Sequence, residues 1–354
     1  MQQMTPRERV WTALGRRVPD RVPKTAGFTP AVQEAFRQAT GAGDPAVYFG
    51  WEVRGVGFGG PQALPDFGAY FAELPPGTPF TEYGVAHVPG SFHHFTRLRH
   101  PLQQSTGLAD LETYPWPDFT PAHRHVHLEA DVAALHEAGS YVQGGVGHIF
   151  EDAWQITSMP KLLTDFVQAP EQAAYVLDRI TEDRVFMARR LAEAGCDGLS
   201  TGDDVGMQDR MMMSPATWRQ WFKPRWARVF RAAKEVNPDL QIMYHSDGAI
   251  EPIIPDLIEI GLDVLNPVQP ECMDPAALKR QYGDRLAFWG TIGTQTTMPF
   301  GTPEEVRRVV RERIETVGAG GGLLVAPTHV LEPDVPWENI VAFLAAVEEY
   351  GSYA

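Results

Sequence analysis

The sequence predicts an α/β protein, a (β/α)8 or TIM barrel with an elaborated N-terminal region, on three observations. Short apolar runs alternate with helical stretches six times between residues 141 and 350, the links are short, and polar or ionisable side chains follow the same end of every apolar run. Repeated strand–helix units with short links give parallel strands joined by right-handed crossovers. Eight such units close a barrel whose reactive groups sit at the C-terminal ends of its strands.

The first of the six units opens with the glycine-rich strand Tyr141 to Gly147. A long helical stretch follows through Ala173-Ala174-Tyr175-Val176-Leu177 to Ala194, with Gly195 as its C-cap. Asp197 to Thr201 is the next strand, and Ser214-Pro215 starts a helix that runs towards Lys234, with proline in the first turn. Leu240 to Tyr244 is the third strand, followed by a helix near Ile254 to Ile260. Leu262 to Pro267 is the fourth, and Asp274-Pro275 opens its helix. Leu286 to Ile292 is the fifth; Thr302-Pro303-Glu304-Glu305 then supplies an N-cap, a proline and acids that suit the helix dipole. Gly322 to Ala326 is the sixth, and a final helix runs from near Pro336 to about Tyr350.

A further unit stands at the start of the chain, with Arg21 to Ala26 as strand and Pro30 to Gln38 as helix. One more within the Gly-, Pro- and aromatic-rich residues 41–140 makes eight; that region also holds insertions and hairpins such as Tyr83 to Phe95. There is no Gly-x-Gly-x-x-Gly after the first strand, which disfavours an open dinucleotide-binding sheet. Without a low-complexity linker, residues 1–354 read as a single domain.

Composition narrows the function. At 44% hydrophobic the chain can bury a large core, and its net charge of −15 argues against nucleic acid or an acidic membrane as main partner. Two cysteines, Cys196 and Cys272, make no disulfide framework and no Cys-x-x-Cys pair. The polar N-terminus lacks a signal peptide's apolar core, and no uncharged run is long enough to span a bilayer, so a cytoplasmic protein is expected. A homodimer is compatible with the sequence.

The chemistry gathers at the strand ends. Tyr244-His245-Ser246-Asp247-Gly248 places His245 and Asp247 two apart, on one face of an extended segment. His329 ends the last apolar run. Two histidines and a carboxylate with an open position form a catalytic set for Zn²⁺ or Fe²⁺; the plainer reading is a hydrogen-bonded His–Asp dyad without metal. Asp203 and Asp204 end another strand. They either cap a turn or crowd each other's charge and so supply a general acid. His148 and Glu151 follow the strand at 141 and are further acid–base candidates, although a lone histidine is more often a bonded loop residue. Tyr244, Gln269, Met207 and Gln208 are expected to line a substrate cavity; for Asn266, tying loop backbone together is the plainer role. Met211 to Met213 default to core packing. The alternating His123, His125 and His127 imitate a metal site but lie before a helix on an apparent surface, and are discounted.

At these residues the sequence resembles the uroporphyrinogen decarboxylase superfamily. The likeness covers nearly the whole chain: Arg7-Glu8-Arg9-Val10, Pro19-Asp20-Arg21-Val22-Pro23, Ser214-Pro215, Tyr244-His245-Ser246-Asp247-Gly248, Asp263 to Gln269, Gly290 to Gln295, Leu331 to Pro336 and Glu338-Asn339-Ile340. The resemblance implies a (β/α)8 barrel with its cleft at the strand C-termini. It also implies either cofactor-free decarboxylation of uroporphyrinogen or zinc-dependent methyl transfer involving a corrinoid or a thiol. In the methyltransferases a His-x-Cys pair and a later Cys bind zinc. Here the histidine matches His245, the first cysteine position holds Asp247, and the later one holds His329. Asp and His leave a harder, more Lewis-acidic metal than thiolates do, so ether or carboxylate activation becomes easier. The decarboxylases carry an N-terminal Arg-rich segment that grips porphyrinogen carboxylates; this chain has Val22-Pro23-Lys24-Thr25-Ala26-Gly27-Phe28, with Lys24 its only cation.

The expectation is therefore a metal-dependent methyltransferase or O-demethylase of a small molecule, linked to a corrinoid or thiol acceptor, with a corrinoid protein as candidate partner. Its metal ligands would be His245, Asp247 and His329. The alternatives are a decarboxylase of tetrapyrrole metabolism needing no cofactor, and a non-catalytic corrinoid- or tetrapyrrole-binding module.

Overall fold

A computed structural model describes residues 3–90 and 96–353. Its nine strands are β1 (Val53–Val56), β2 (Ala86–Pro89), β3 (Thr96–Arg99), β4 (Tyr141–Gly147), β5 (Gly198–Gly202), β6 (Gln241–His245), β7 (Val264–Asn266), β8 (Ala287–Ile292) and β9 (Leu323–Pro327). Seven form one curled parallel sheet in the order β1-β4-β5-β6-β7-β8-β9, while β2 and β3 pair antiparallel as a separate hairpin. The hairpin expected from Tyr83 to Phe95 has its second arm at β3, and residues 91–95 lie outside the described residues.

Each of the six strands read from the sequence between residues 141 and 326 is present and follows its neighbour in the sheet. The expected helix from Ser214 to Lys234 is two helices, Pro215–Trp221 and Lys223–Lys234, broken at Phe222, where Pro224 withdraws an amide from the ladder. Gly195 ends the Pro170–Glu193 helix with φ 90°, a left-handed conformation that costs glycine little.

Residues 21–26 do not form the continuous strand expected. They make a parallel bridge between Lys24 and Val325, and Glu52 N–H donates to the Lys24 carbonyl at 3.4 Å. This segment therefore touches both β9 and the residue before β1. Pro23 has no amide hydrogen to give to a ladder, and the segment makes isolated bridges instead.

The helix Pro6–Leu14 closes the N-terminal end of the sheet. Its Val10 and Leu14 pack with Tyr141, Met243, Val264, Trp289 and Leu324 on the inner face. Trp11 Nε1 and Arg7 both donate to Asp197, just before β5. Arg9 is buried and bridges Asp20 at 2.7 Å and Glu52 at 2.6 Å. This end of the inner face is therefore filled by side chains. No helix is long and apolar enough to cross a membrane among the described residues.

Hydrogen bonds from Arg9 lower Asp20 from 3.8 to about 2. Folding thus favours its ionised form, so the stabilisation is full above pH 3.8 and is lost as pH falls towards 2. Asp20→Asn should destabilise the protein by about 2 kcal/mol at neutral pH and flatten that acid limb in denaturant titrations.

Candidate functional site

Side chains alternate across a strand, and that alternation sorts the residues at the C-terminal ends of β5 and β6. Met243 and His245 face the enclosed side, whereas Tyr244 faces the helical layer, fully buried and edge-on to Trp226 at 5.7 Å. Tyr244 is therefore a packing residue, not the cavity-lining residue expected from its neighbours. Asp203 and Asp204 divide in the same way. Asp203 is fully buried; its Oδ1 accepts the amides of Ile149 and Phe150 at 2.8 and 2.7 Å, and its Oδ2 accepts Trp226 Nε1 at 2.9 Å. It caps the Phe150–Thr157 helix and holds Trp226, with neither oxygen left for substrate. Burial pushes its carboxyl up to about 7, against the pull of His148, Trp226 and Ile149. Asp204 turns the other way, towards His245.

Backbone contacts continue past the sheet and zip the β5 and β6 loops together. Asp203 N–H donates to the His245 carbonyl, Val205 N–H to Ser246 Oγ, and Ala249 N–H to the Met207 carbonyl. Asp247 N–H donates to Asp204 Oδ1 at 2.7 Å. The loops approach so closely that a Cβ on Gly206 would lie 2.4 Å from the Asp247 carbonyl oxygen. One on Gly248, at φ 80°, would lie 2.6 Å from Gly206 C. Only glycine fits at either position.

The outcome is a triad of potential ligands. One ligand atom each from Asp204, His245 and Asp247 lies within 4.8 Å of the other two. His245 Nε2 stands 3.5 Å from Asp204 Oδ1 and 4.0 Å from Asp247 Oδ1. Its orientation is fixed from behind by Asn266, directly opposite it on β7. Asn266 Nδ2 donates to the Trp289 carbonyl at 3.0 Å, so its Oδ1 is the acceptor facing His245 Nδ1 at 2.6 Å. A neutral ring thus carries its hydrogen on Nδ1 and turns the Nε2 lone pair to the carboxylates, an arrangement typical of metal-binding histidines. The separations suit a shared ion, because tetrahedral ligands about 2.1 Å from one centre lie about 3.4 Å apart. Burial raises Asp247, reinforced by Asp204 and Glu151 and opposed by His245 and His329.

His329 does not complete the triad, contrary to the expected His245–Asp247–His329 set. It lies two residues beyond β9, three strands away from β6, and is exposed with Nδ1 against the Val330 carbonyl. Asp204 takes its place because β5 is the next strand to β6. His329 does line the adjoining cavity of about 340 Å³, together with Met207, Gln208, Asp247 and Gln269. Sequence reasoning missed Cys272, Thr294 and Thr328 in that lining, and the clamp by Asn266. Counting register between consecutive strands would have found the Asn266–His245 pair.

His148 and Glu151 stand behind the triad. His148 Nδ1 meets the Gly202 carbonyl at 2.7 Å and Glu151 Oε2 at 2.9 Å, and Glu151 Oε2 also accepts Asp204 N–H at 3.3 Å. Burial works against charge on His148, but the Glu151 hydrogen bond and the Glu151, Asp203 and Asp152 charges outweigh it and raise the ring to about 10. The discounted histidines stay apart from any such centre: His125 and His127 each bond a backbone carbonyl.

The chain belongs to the uroporphyrinogen decarboxylase (URO-D) family, whose model matches residues 104–350. Among curated proteins it is 30% identical over 174 residues to the methylcobamide:CoM methyltransferase MtaA of Methanosarcina barkeri, covering 49% of this chain and 48% of that one. It is 27% identical over 192 residues to the uroporphyrinogen decarboxylase of Thermus thermophilus, covering 49% and 48%. The chain thus spans about half the length of the curated relatives it matches. A solved methyltransferase from Methanosarcina mazei shares the fold across 98% of this chain and 99% of that one, with a TM-score of 0.71 at 21% identity.

Gly248→Ala should cost about 2 kcal/mol or more in denaturant unfolding, since it adds both a clash and a disfavoured φ. The raised His148 contributes stability that is full below pH 6.5 and is lost as pH climbs towards 10. His148→Gln should flatten that alkaline limb, by less than the shift implies because the side chain is 39% exposed and screened.

Proposed function

We propose that this chain is a metal-dependent methyltransferase or O-demethylase that passes a methyl group between a small molecule and a corrinoid or thiol acceptor. Asp204, His245 and Asp247 hold a divalent ion, zinc or ferrous iron. The observation that carries this reading is the convergence of three ligand atoms with the His245 Nε2 lone pair turned inward by Asn266. An ion bound by oxygen and imidazole supplies Lewis acidity, polarising a bound oxygen or sulfur at the methyl group. His148 and Glu151 share the proton at Nδ1 within one hydrogen bond of Asp204 and serve as the acid–base pair. Asp203 positions them through the Ile149 and Phe150 amides. Met207, Gln208 and Gln269 bind substrate in the adjoining cavity. The methylcobamide transferase among the relatives makes a corrinoid-borne methyl group the first co-substrate to assay. We also read the sheet as a closed (β/α)8 barrel in one domain, with residues 23–25 as its eighth stave.

Uroporphyrinogen decarboxylation is the alternative. A polyanionic substrate calls for cations, and the cavity lining contains no lysine or arginine among the described residues. Lys24, the one cation of its segment, is buried against Glu348.

Elemental analysis before and after chelation should find one divalent ion per chain. His245→Ala and Asp204→Asn should lose it, and methyl transfer should fall at least about a hundredfold. His329→Ala should keep it. Unchanged activity in the metal-free protein would overturn the reading.

A further inference from the structure

Another cavity, of about 590 Å³, opens at the N-terminal end of the sheet, away from the triad. Gln241, the first residue of β6, and Asp263, just before β7, line it. Arg16 and Arg17 line it too, and neither guanidinium makes a hydrogen bond or ion pair among the described residues. Both follow the helix Pro6–Leu14, where cations commonly satisfy the last carbonyls. Here backbone amides have taken those carbonyls: Gly15 N–H donates to Trp11 at 2.9 Å, Arg16 N–H to Ala13 at 2.9 Å and Arg17 N–H to Thr12 at 3.0 Å. The guanidiniums are therefore not needed as helix caps. The turn that presents them is fixed. Arg16 has φ 59°, a left-handed backbone that costs a residue with a side chain. Gly321 packs so tightly on it that a Cβ there would lie 2.2 Å from the Arg17 carbonyl oxygen. Such strain persists where the surroundings impose it.

The surroundings narrow the ligand. Lys279 Nζ donates to the Gly321 carbonyl at 2.5 Å and stands over Gly322 beside Arg16. No acid offsets the burial that lowers its ammonium from the usual value. Gln241 Oε1 accepts the Tyr141 hydroxyl at 2.9 Å, which leaves its NH₂ as the end facing the cavity. Asn237 Oδ1 likewise accepts Asp239 N–H at 3.1 Å, leaving its NH₂ to donate. Of the two acids in the lining, Asp263 is matched by Lys234 at 2.7 Å, so Asp239 is one carboxylate against two guanidiniums. Positive charge is thus in excess here, in a chain of net charge −15. Planar guanidinium forks backed by amide donors match an oxyanion, phosphate above all. Trp11 and Leu14 add an apolar wall, with more room than a bare phosphate ion fills.

We infer that Arg16 and Arg17 bind the phosphate group of a small molecule at the N-terminal end of the sheet, in a site separate from the triad. The site needs nothing from the methyl-transfer reading. Phenyl phosphate and inorganic phosphate, titrated by calorimetry into the full chain at fixed ionic strength, are the probes. Phenyl phosphate should bind with a Kd below about 1 mM, and more tightly than inorganic phosphate, which assigns an ester resting on Trp11 and Leu14. The reverse order keeps the phosphate site and assigns it to the free ion. The double substitution Arg16→Gln and Arg17→Gln should weaken both probes at least about tenfold and leave the melting temperature in phosphate-free buffer where it was. Arg97→Gln with Arg99→Gln removes the same charge from exposed positions on β3 and should bind as wild type. His245→Ala should keep the arginine-dependent binding, whether or not an ion sits at the triad. Binding of neither probe, equal loss in the two double variants, or loss in His245→Ala with none in the Arg16 and Arg17 variant would each overturn the assignment.

Discussion

The contact on which the site depends is the side-chain-free seam between Gly206 and Gly248. Strand hydrogen bonding ends at β5 and β6, yet the chain stays paired for several residues more, through Asp203 to His245, Val205 to Ser246 and Met207 to Ala249. No side chain larger than hydrogen fits into that seam. Loops normally owe their position to the scaffold at their roots. Here two loops hold each other, and Asp204 and Asp247 lie within the span they hold. The placement of the triad thus owes as much to the close approach of the two loop backbones as to the side-chain bonds of Ser246, Asp204 and Asn266.

Much of this was readable in the chain. The six consecutive strands from Tyr141 to Ala326 followed from apolar runs ended by glycine and polar residues, and parallel order followed from the helices between them. His245 and Asp247 stood out because a two-residue spacing survives folding. Less legible was which third residue would join them. His329 matched by resemblance, but β9 is three strands from β6, while Asp204 sits on the neighbouring strand. Adjacency in the sheet outweighs likeness along the chain. The adjacent carboxylates Asp203 and Asp204 looked interchangeable in sequence. Their separate fates depend on parity, which one residue of register decides. Tyr244 failed for the same reason. The irregular segment at residues 21–26 reads as a strand because its one proline, Pro23, keeps the pattern apolar while withholding an amide from a ladder.

The closed lower end matters as much as the open upper one. Helix Pro6–Leu14 fills the inner face from below, with Arg9 and Arg7 tying it to Asp20, Glu52 and Asp197. Buried charge is costly unless it is paired, and these pairs lie near the N-terminal end of the sheet, away from the triad. The upper end is left with two carboxylates and an imidazole crowded together, a set whose mutual repulsion a cation would relieve.

The choice of Asn266 behind His245 has one more consequence. A carboxylate in that place would add a third negative charge; a carboxamide adds none and cannot gain or lose a proton in the range where proteins stay folded. If the divalent ion proposed above is bound, the two aspartates balance its charge and the clamp adds nothing to that sum. The residue behind His245 thus holds the ring in one orientation without altering the charge of the triad at any such pH.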